Sequence, residues 1–97
     1  MLSFLLAIED EKTRSKLEEI YINYRKDVLW TANSILKDYH EAEDVVQEAI
    51  LKMSSIIEKI DATKCNKTRG LFVIIVRNLS FNIYNRRKHM IPNPYDD

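Results

Sequence analysis

The sequence predicts an all-α fold, with three main helices in a compact bundle and a short additional helix at the N-terminus. Its 97 residues are enough for one domain with one modest hydrophobic core. The chain has a single glycine, and its two prolines both lie near the C-terminus, so little interrupts helix formation elsewhere. Apolar residues make up 45% of the chain and charged residues 31%, which is ordinary for folded globular proteins and unlike disordered ones.

The N-terminal part of the chain predicts a short helix and then a long amphipathic one. The apolar start "MLSFLLAI" lacks a basic region and runs directly into acidic residues, so it suits a helix packed on the core better than a signal peptide. The long helix is indicated by apolar residues that recur every three or four positions. These residues are Leu17, Ile20, Tyr21, Tyr24, Val28, Ala32 and Ile35.

A second helix is predicted from a similar apolar stripe. Asp38 and Glu41 have the spacing of a capping box, so we expect this helix to begin near Tyr39. Carboxylates in a first turn also suit the positive end of the helix dipole. The stripe consists of Ala42, Val45, Val46, Ala49, Met53, Ile56, Ile57 and Ile60.

The third segment is locally ambiguous, because the β-branched run Leu71–Val76 could form a buried strand. Helical spacing nevertheless continues for more than three turns, and a lone strand would have no partner, so we predict a helix over about Thr68–Arg87. The residues that keep this spacing are Phe72, Ile75, Val76, Leu79 and Ile83. We expect a polar, basic loop at Asp61–Gly70, a domain spanning residues 1–90 and an extended tail at residues 91–97.

The charges are segregated although they sum to zero. Residues 38–61 hold seven acids against two lysines, whereas residues 62–91 hold seven bases and no acid. This asymmetry indicates two different partners, and the basic segment suits nucleic acid.

Cys65 is the only cysteine, which excludes an internal disulfide and a thiolate zinc cluster and is compatible with a cytoplasmic location. We expect no cofactor, no metal and no membrane span.

The acidic stretch Glu41–Ile50 allows several interpretations. Paired carboxylates could act as acid and base, but no His, Ser or Cys is aligned with them. A carboxylate-bridged metal site would need more ligands, and His40 precedes Glu43 in the reverse of the usual order. A solvated helix face is the commonest outcome for such a stretch. However, this face has almost no compensating lysine and carries Leu51 within its polar band, which favours docking of a basic helix with an apolar ridge.

The basic segment also has two interpretations. Asn78 and Asn82 lie four residues apart on one helix face and can donate to and accept from base edges, and Tyr84 could stack on a base. Cations at a helix C-terminus are common, however, and could explain the cluster at residues 86–88 without any ligand. The candidate phosphate-binding residues are Lys64, Lys67, Arg69, Arg77, Arg86 and Arg87.

Two motifs in combination resemble a known family. "AEDVVQEAILKM" (Ala42–Met53) and "FVIIVRNLSFNIYNRRK" (Phe72–Lys88), separated by a basic loop, resemble region two of bacterial RNA polymerase sigma factors, most closely the extracytoplasmic-function type. The helix that precedes them is similar to the opening helix of the same family. The resemblance covers roughly Leu17–Lys88.

The resemblance implies binding rather than catalysis. It implies that an acidic helix docks on a coiled coil of the polymerase β′ subunit, with contacts from Asp44, Gln47, Glu48 and Leu51. It also implies that the loop and the following helix open the promoter −10 element and hold bases of the non-template strand. The matching positions are the loop Lys64–Arg69, which includes Asn66, together with Asn78 and Asn82. An anti-sigma factor is a further partner that such a domain can have.

The sequence departs from the family's pattern in two places. Leu71 stands where a tryptophan is usual, and Ile74 stands at a frequent DNA-facing arginine. We also expect no region-four helix-turn-helix domain after Lys88. The low density of base-reading residues, especially at Ile74, favours an alternative to a transcription initiation module: a protein-interaction module that binds a polymerase subunit or regulator without recognising DNA.

Overall fold

The computed structural model describes residues 3–56 and 65–90, and the side chains of 65, 66, 89 and 90 are outside that description. A 3₁₀ helix (Ser3–Ala7) is followed by α1 (Glu11–Leu36), α2 (Tyr39–Met53) and α3 (Cys65–Met90). All three α-helices pack against one another. The predicted all-α class and the three main helices are confirmed, and the described residues contain no strand. Leu71–Val76 is helical, as the longer periodicity indicated.

The 3₁₀ helix packs against α1. Leu5 is fully buried against the core, as expected for the apolar N-terminal segment. Arg14 of α1 fastens this segment, because its Nη1 donates to the carbonyl of Ile8 at 2.8 Å. Asp10 precedes α1 and accepts a hydrogen bond from the hydroxyl of Thr13 at 2.5 Å. This bond lowers the pKa of Asp10 below its usual value, although partial desolvation of the carboxyl opposes the shift.

Only two residues connect α1 to α2. Lys37 ends α1 in the left-handed conformation, with φ of 56°, and its N–H donates to the carbonyl of Asn33 at 2.8 Å. Asp38 then caps α2, because its Oδ1 accepts from the N–H of Glu41 at 3.1 Å. The predicted start of α2 at Tyr39 is therefore confirmed.

The core is formed by apolar residues from all four helical segments. Most of the predicted stripe residues are buried, but Leu36 is buried where Ile35 was expected, and Ile50 is buried without having been predicted. Both continue rows that advance by four residues, Val28 to Leu36 and Ala42 to Ile50. The buried apolar residues are Leu5, Leu17, Ile20, Val28, Ala32, Leu36, Ala42, Val45, Val46, Ala49, Ile50, Met53, Phe72 and Val76.

The predicted second stripe was too long for the helix that forms. α2 ends at Met53, where the hydroxyls of Ser54 and Ser55 donate to the carbonyls of Leu51 and Lys52. These bonds satisfy carbonyls that have no partner within the helix. Ile56 lies in the following turn, and the stripe positions Ile57 and Ile60 lie outside the described residues.

Helix α3 is longer than the sequence indicated at both ends. It begins at Cys65 instead of Thr68 and continues to Met90 instead of Arg87. The early start has a packing reason, because Thr68 is buried and continues at a four-residue step to the fully buried Phe72. Lys67 and Arg69 therefore lie on the first turns of a helix and not in a loop. Lys64 and the tail at 91–97 are outside the described residues.

No described helix is both long enough and apolar enough to cross a membrane.

Candidate functional site

An acidic face runs along the outside of α2. We give this name to Asp44, Gln47, Glu48 and Leu51. Asp44 comes three and four residues before the adjacent pair Gln47 and Glu48, and Leu51 comes four and three residues after that pair, so all four lie on one side of the helix. Asp44 and Glu48 are exposed, while Gln47 and Leu51 are half-buried. Leu51 packs against the edge of the core. The face therefore presents two carboxylates and an amide beside an apolar surface.

The four carboxylates of the stretch Glu41–Ile50 have different environments. Glu41 forms an ion pair with Arg87 of α3, and Glu43 lies 3.9 Å from Nδ1 of His40. Asp44 and Glu48, in contrast, form no ion pair with any residue that the structure describes. Two acids of the stretch thus have partners within the fold, and two are directed to solvent.

Arg87 joins the three α-helices at one end of the bundle. Its Nη1 donates to the carbonyl of Leu36 at 3.0 Å, at the end of α1, and its Nη2 bonds to the carboxylate of Glu41 in the first turn of α2. The Glu41 side chain thus turns towards α3, and the Asp38–Glu41 pair supplies only one half of a capping box. The sequence placed Arg87 among the DNA-binding candidates, whereas its guanidinium is engaged inside the domain.

Arg69 has a second such contact, between α3 and α1. Its Nε donates to Oδ2 of Asp27 at 3.0 Å, and both side chains are about half exposed, at 54% and 53%. Asp27 lies 42 residues earlier in the chain. The pair therefore neutralises part of the positive charge that the sequence assigns to the start of α3.

The other candidates on α3 are directed to solvent. Asn78 and Asn82 are exposed four residues apart, as predicted, and Lys67 and Arg86 are exposed as well. Arg77 lies over the ring of Phe81, with 5.6 Å between the guanidinium carbon and the ring centroid. Asn66 is on the helix, but its side chain is not described. Over Cys65–Met90 the helix contains six Lys and Arg residues and no acid.

A groove between α1 and α3 was missed by the sequence analysis. It has a volume of about 460 Å³ and is lined by Trp30, the Asp27–Arg69 pair, and Gly70 and Ile74 of α3, among others. Trp30 is 74% exposed and Ile74 is 56% exposed. A large aromatic residue outside the apolar stripe of α1 was the available signal, but its neighbours come from a distant part of the sequence.

No group of three or more His, Cys, Asp or Glu side chains converges on a possible metal site within residues 3–56 and 65–90.

Comparison with known families gives a match to the model described as Sigma-70 region 2, over residues 20–90. This range contains α2, α3 and most of α1. No curated protein and no solved structure matches the chain.

Proposed function

Because the chain belongs to the sigma-70 region 2 family, we propose that its acidic face docks on the β′ coiled coil of RNA polymerase while α3 holds single-stranded −10 DNA. Domains of this family are transcription initiation factors that bind the polymerase core and the promoter −10 element, and they are not enzymes. The proposal assigns these two tasks to particular residues of this chain.

The observation that carries the first task is the division of the acids on α2. Asp44 and Glu48 are exposed without an ion pair among the described residues, whereas Glu41 is bonded to Arg87. Outward carboxylates beside Leu51 complement a basic helix with an apolar ridge, which is the surface that a helix-in-groove or helix-on-helix contact requires. We propose contacts from all four residues of the acidic face.

The second task is supported by the surface of α3. Asn78 and Asn82 are exposed and can read base edges, and Lys67, Arg77 and Arg86 are exposed cations that can neutralise phosphates. Lys64, Asn66 and Arg69 complete the set through the family resemblance. We leave Arg87 outside this set, since its guanidinium bonds to Leu36 and Glu41.

The docking proposal is tested by reversing charge on the acidic face. Asp44→Lys combined with Glu48→Lys should lower affinity for the isolated β′ coiled coil at least about 100-fold, because like charges across an interface cost several kcal/mol. Each single substitution can be compared with Glu19→Lys, which makes the same charge change at an exposed position of α1. Unchanged binding of the double variant, measured by calorimetry, would refute the docking role.

The DNA proposal is tested with a single-stranded −10-like oligonucleotide and fluorescence anisotropy. Affinity should fall as salt rises, with a logarithmic slope of about −0.7 for each phosphate contact. Arg86→Ala should weaken binding and reduce this slope, whereas Asn78→Ala combined with Asn82→Ala should weaken binding with little change in slope. Asn33→Ala on α1 is the matched control for the asparagines.

A protein-interaction module without DNA recognition is the second candidate. The observation in its favour is that Arg69 is paired with Asp27 and that Ile74 exposes an apolar surface on α3. This candidate predicts strong binding to the β′ coiled coil and no binding to the oligonucleotide even at low salt. The two measurements above therefore separate the candidates.

A further inference from the structure

We propose that Trp30 of α1 stacks on an unpaired base of the same DNA strand, in the groove that Trp30 forms with the start of α3. This inference rests on the proposed function, because it assumes that a single strand follows α3. It adds to the DNA-binding surface a residue from another helix, which the sequence analysis did not consider.

The first argument is the exposure of apolar surface around the groove. Trp30 is 74% exposed and Ile74 is 56% exposed, and both line the same groove of about 460 Å³. Contiguous exposed apolar surface rimmed by polar residues marks ligand-binding grooves and other interaction sites. The groove has room for a nucleobase, whose flat π-face can stack on an indole whatever its identity.

The second argument is Gly70, which also lines the groove. A Cβ added at this position would meet no atom within 4 Å, so packing does not require the glycine. Glycine is unfavourable inside a helix, and it is often found where a ligand approaches the backbone closely. A base lying against the first turns of α3 would use this open space.

The third argument is the surface that continues from the groove along α3. Exposed residues recur at steps of three and four, so they form one ridge, which carries both apolar or aromatic side chains and cations. Arg77 contacts the ring of Phe81 within this ridge. Surfaces that hold single strands combine stacking side chains with cations that follow the phosphates. The ridge consists of Gly70, Ile74, Arg77, Phe81, Tyr84 and Lys88.

The Asp27–Arg69 pair indicates which part of a nucleotide enters the groove. The carboxylate of Asp27 neutralises Arg69, so the groove does not offer a net positive charge to a phosphate. The described contacts of Arg69 use only Nε, which leaves the N–H groups of its terminal nitrogens as donors for a base edge. The groove therefore suits a base, while Arg77 and Lys88 on the ridge suit the backbone.

A protein side chain is the other occupant that an apolar groove could accept. The charge of α3 favours DNA, because the helix has no acidic residue over Cys65–Met90 and places exposed cations along the ridge that leaves the groove. A protein docking on the same ridge would have to present acids to it. DNA supplies that negative charge with every nucleotide.

Trp30 is the only tryptophan of the chain, so its fluorescence reports on the groove directly. Titration of the full chain with a single-stranded −10-like oligonucleotide should quench this fluorescence and protect it from acrylamide. Trp30→Ala should weaken binding by about 5- to 150-fold, which is the range for loss of one base–aromatic stack. Trp30→Phe should keep most of the affinity. Ile22→Ala, at another exposed apolar residue of α1, is the matched control and should bind as the original chain does.

Gly70→Leu gives a second test that leaves Trp30 in place. Its side chain has open space to enter and should fill the groove, so affinity for the oligonucleotide should fall, whereas Gly70→Ala should have a smaller effect. Thermal melting of each variant checks that the fold persists.

The outcomes separate this inference from the proposed function. If the original chain does not bind the oligonucleotide at low salt, the DNA-binding function fails and the inference fails with it. If the original chain binds but Trp30→Ala binds equally well and the fluorescence is unchanged, only the stacking role is overturned. If Trp30→Ala loses the β′ coiled coil and keeps the oligonucleotide, the groove is a protein site and the inference is also wrong.

Discussion

Helices α2 and α3 carry opposite charges, and the fold uses those charges differently. The exposed acids of α2, Asp44 and Glu48, have no ion-pair partner among the described residues. Two arginines of α3, Arg69 and Arg87, instead bond to carboxylates of α1 and α2. The net charge counted from the residues of a helix therefore differs from the charge that its surface presents to solvent. The acidic helix directs two carboxylates to solvent, while two arginines of the basic helix form contacts that hold the bundle together.

The difference follows from how each helix is attached. α2 is joined to α1 by two residues and is fixed locally by the Asp38 cap. α3 comes after a long stretch of chain, and its ion pairs span 42 and 46 residues of sequence. The short connection holds α2 beside α1, whereas side-chain contacts at both ends of α3 hold that helix against the other two.

The largest expected effect tests whether the buried apolar residues of α3, Phe72 and Val76, are what mainly holds this helix in the bundle. Phe72→Ala removes a fully buried ring and should lower the free energy of unfolding by about 3–5 kcal/mol, measured by urea denaturation. Phe81→Ala on the same helix is the control. Phe81 is 40% exposed, so its loss should cost about 1 kcal/mol or less. Equal effects of the two substitutions would contradict the packing described.

The next effect separates Arg87, which forms contacts within the fold, from the adjacent Arg86, which is exposed. Arg87→Met removes the bonds to Leu36 and Glu41 and should cost about 1–2 kcal/mol of stability, since both side chains of the ion pair are partly exposed. Arg86→Met should change stability by less than about 0.5 kcal/mol and should instead weaken DNA binding. Thermal melting measures the stability of each variant, and fluorescence anisotropy measures its affinity for DNA. If Arg86→Met lowered stability and Arg87→Met weakened only DNA binding, the distinction between the two residues would be wrong.

A smaller effect is expected from releasing charge on α3. Asp27→Asn should cost only about 0.2–1 kcal/mol, because the Asp27–Arg69 pair is half exposed. It should also free the full charge of Arg69, so the logarithmic salt slope of oligonucleotide binding should steepen by about 0.7 if Arg69 then meets a phosphate. Thr31→Ala, at a neighbouring groove position, changes no charge and should leave the slope as it is. A slope unchanged by Asp27→Asn would mean that Arg69 gains no phosphate contact when its pairing with Asp27 is removed.

The smallest effect concerns an acid used only within the fold. The Thr13 hydroxyl holds the pKa of Asp10 below its usual value of 3.8, so the unfolded chain binds this proton more readily than the folded one. The stabilisation by Asp10 is therefore present above pH 3.8 and is lost as pH falls through the lower pKa of the folded state. Asp10→Asn should be slightly less stable at neutral pH, and the difference from the original chain should shrink in acid. Melting curves of both proteins from neutral pH to below pH 3.8 would show this change. A difference in stability that stays constant over the range would exclude a link between the pKa of Asp10 and stability.

Local features of the sequence were sufficient for the number and type of the helices, and insufficient for the bounds of α3 and for the contacts between helices. The start of α2 could be predicted because Asp38 caps it within one turn. The start of α3 could not, because burial of Thr68 depends on other helices. The outward position of Asp44 and Glu48 followed from helical spacing alone. The partner of Arg87 and the groove at Trp30 depend on residues that only the packed bundle brings together.

The connection between α1 and α2 has a mechanical consequence. Lys37 and Asp38 form a short elbow, with the backbone of Lys37 in the left-handed region and its N–H bonded back to Asn33. The side chain of Asp38 in turn accepts from the N–H of Glu41, so both residues of the elbow are bonded to a helix. A change in the angle between α1 and α2 would therefore have to break one of these two caps.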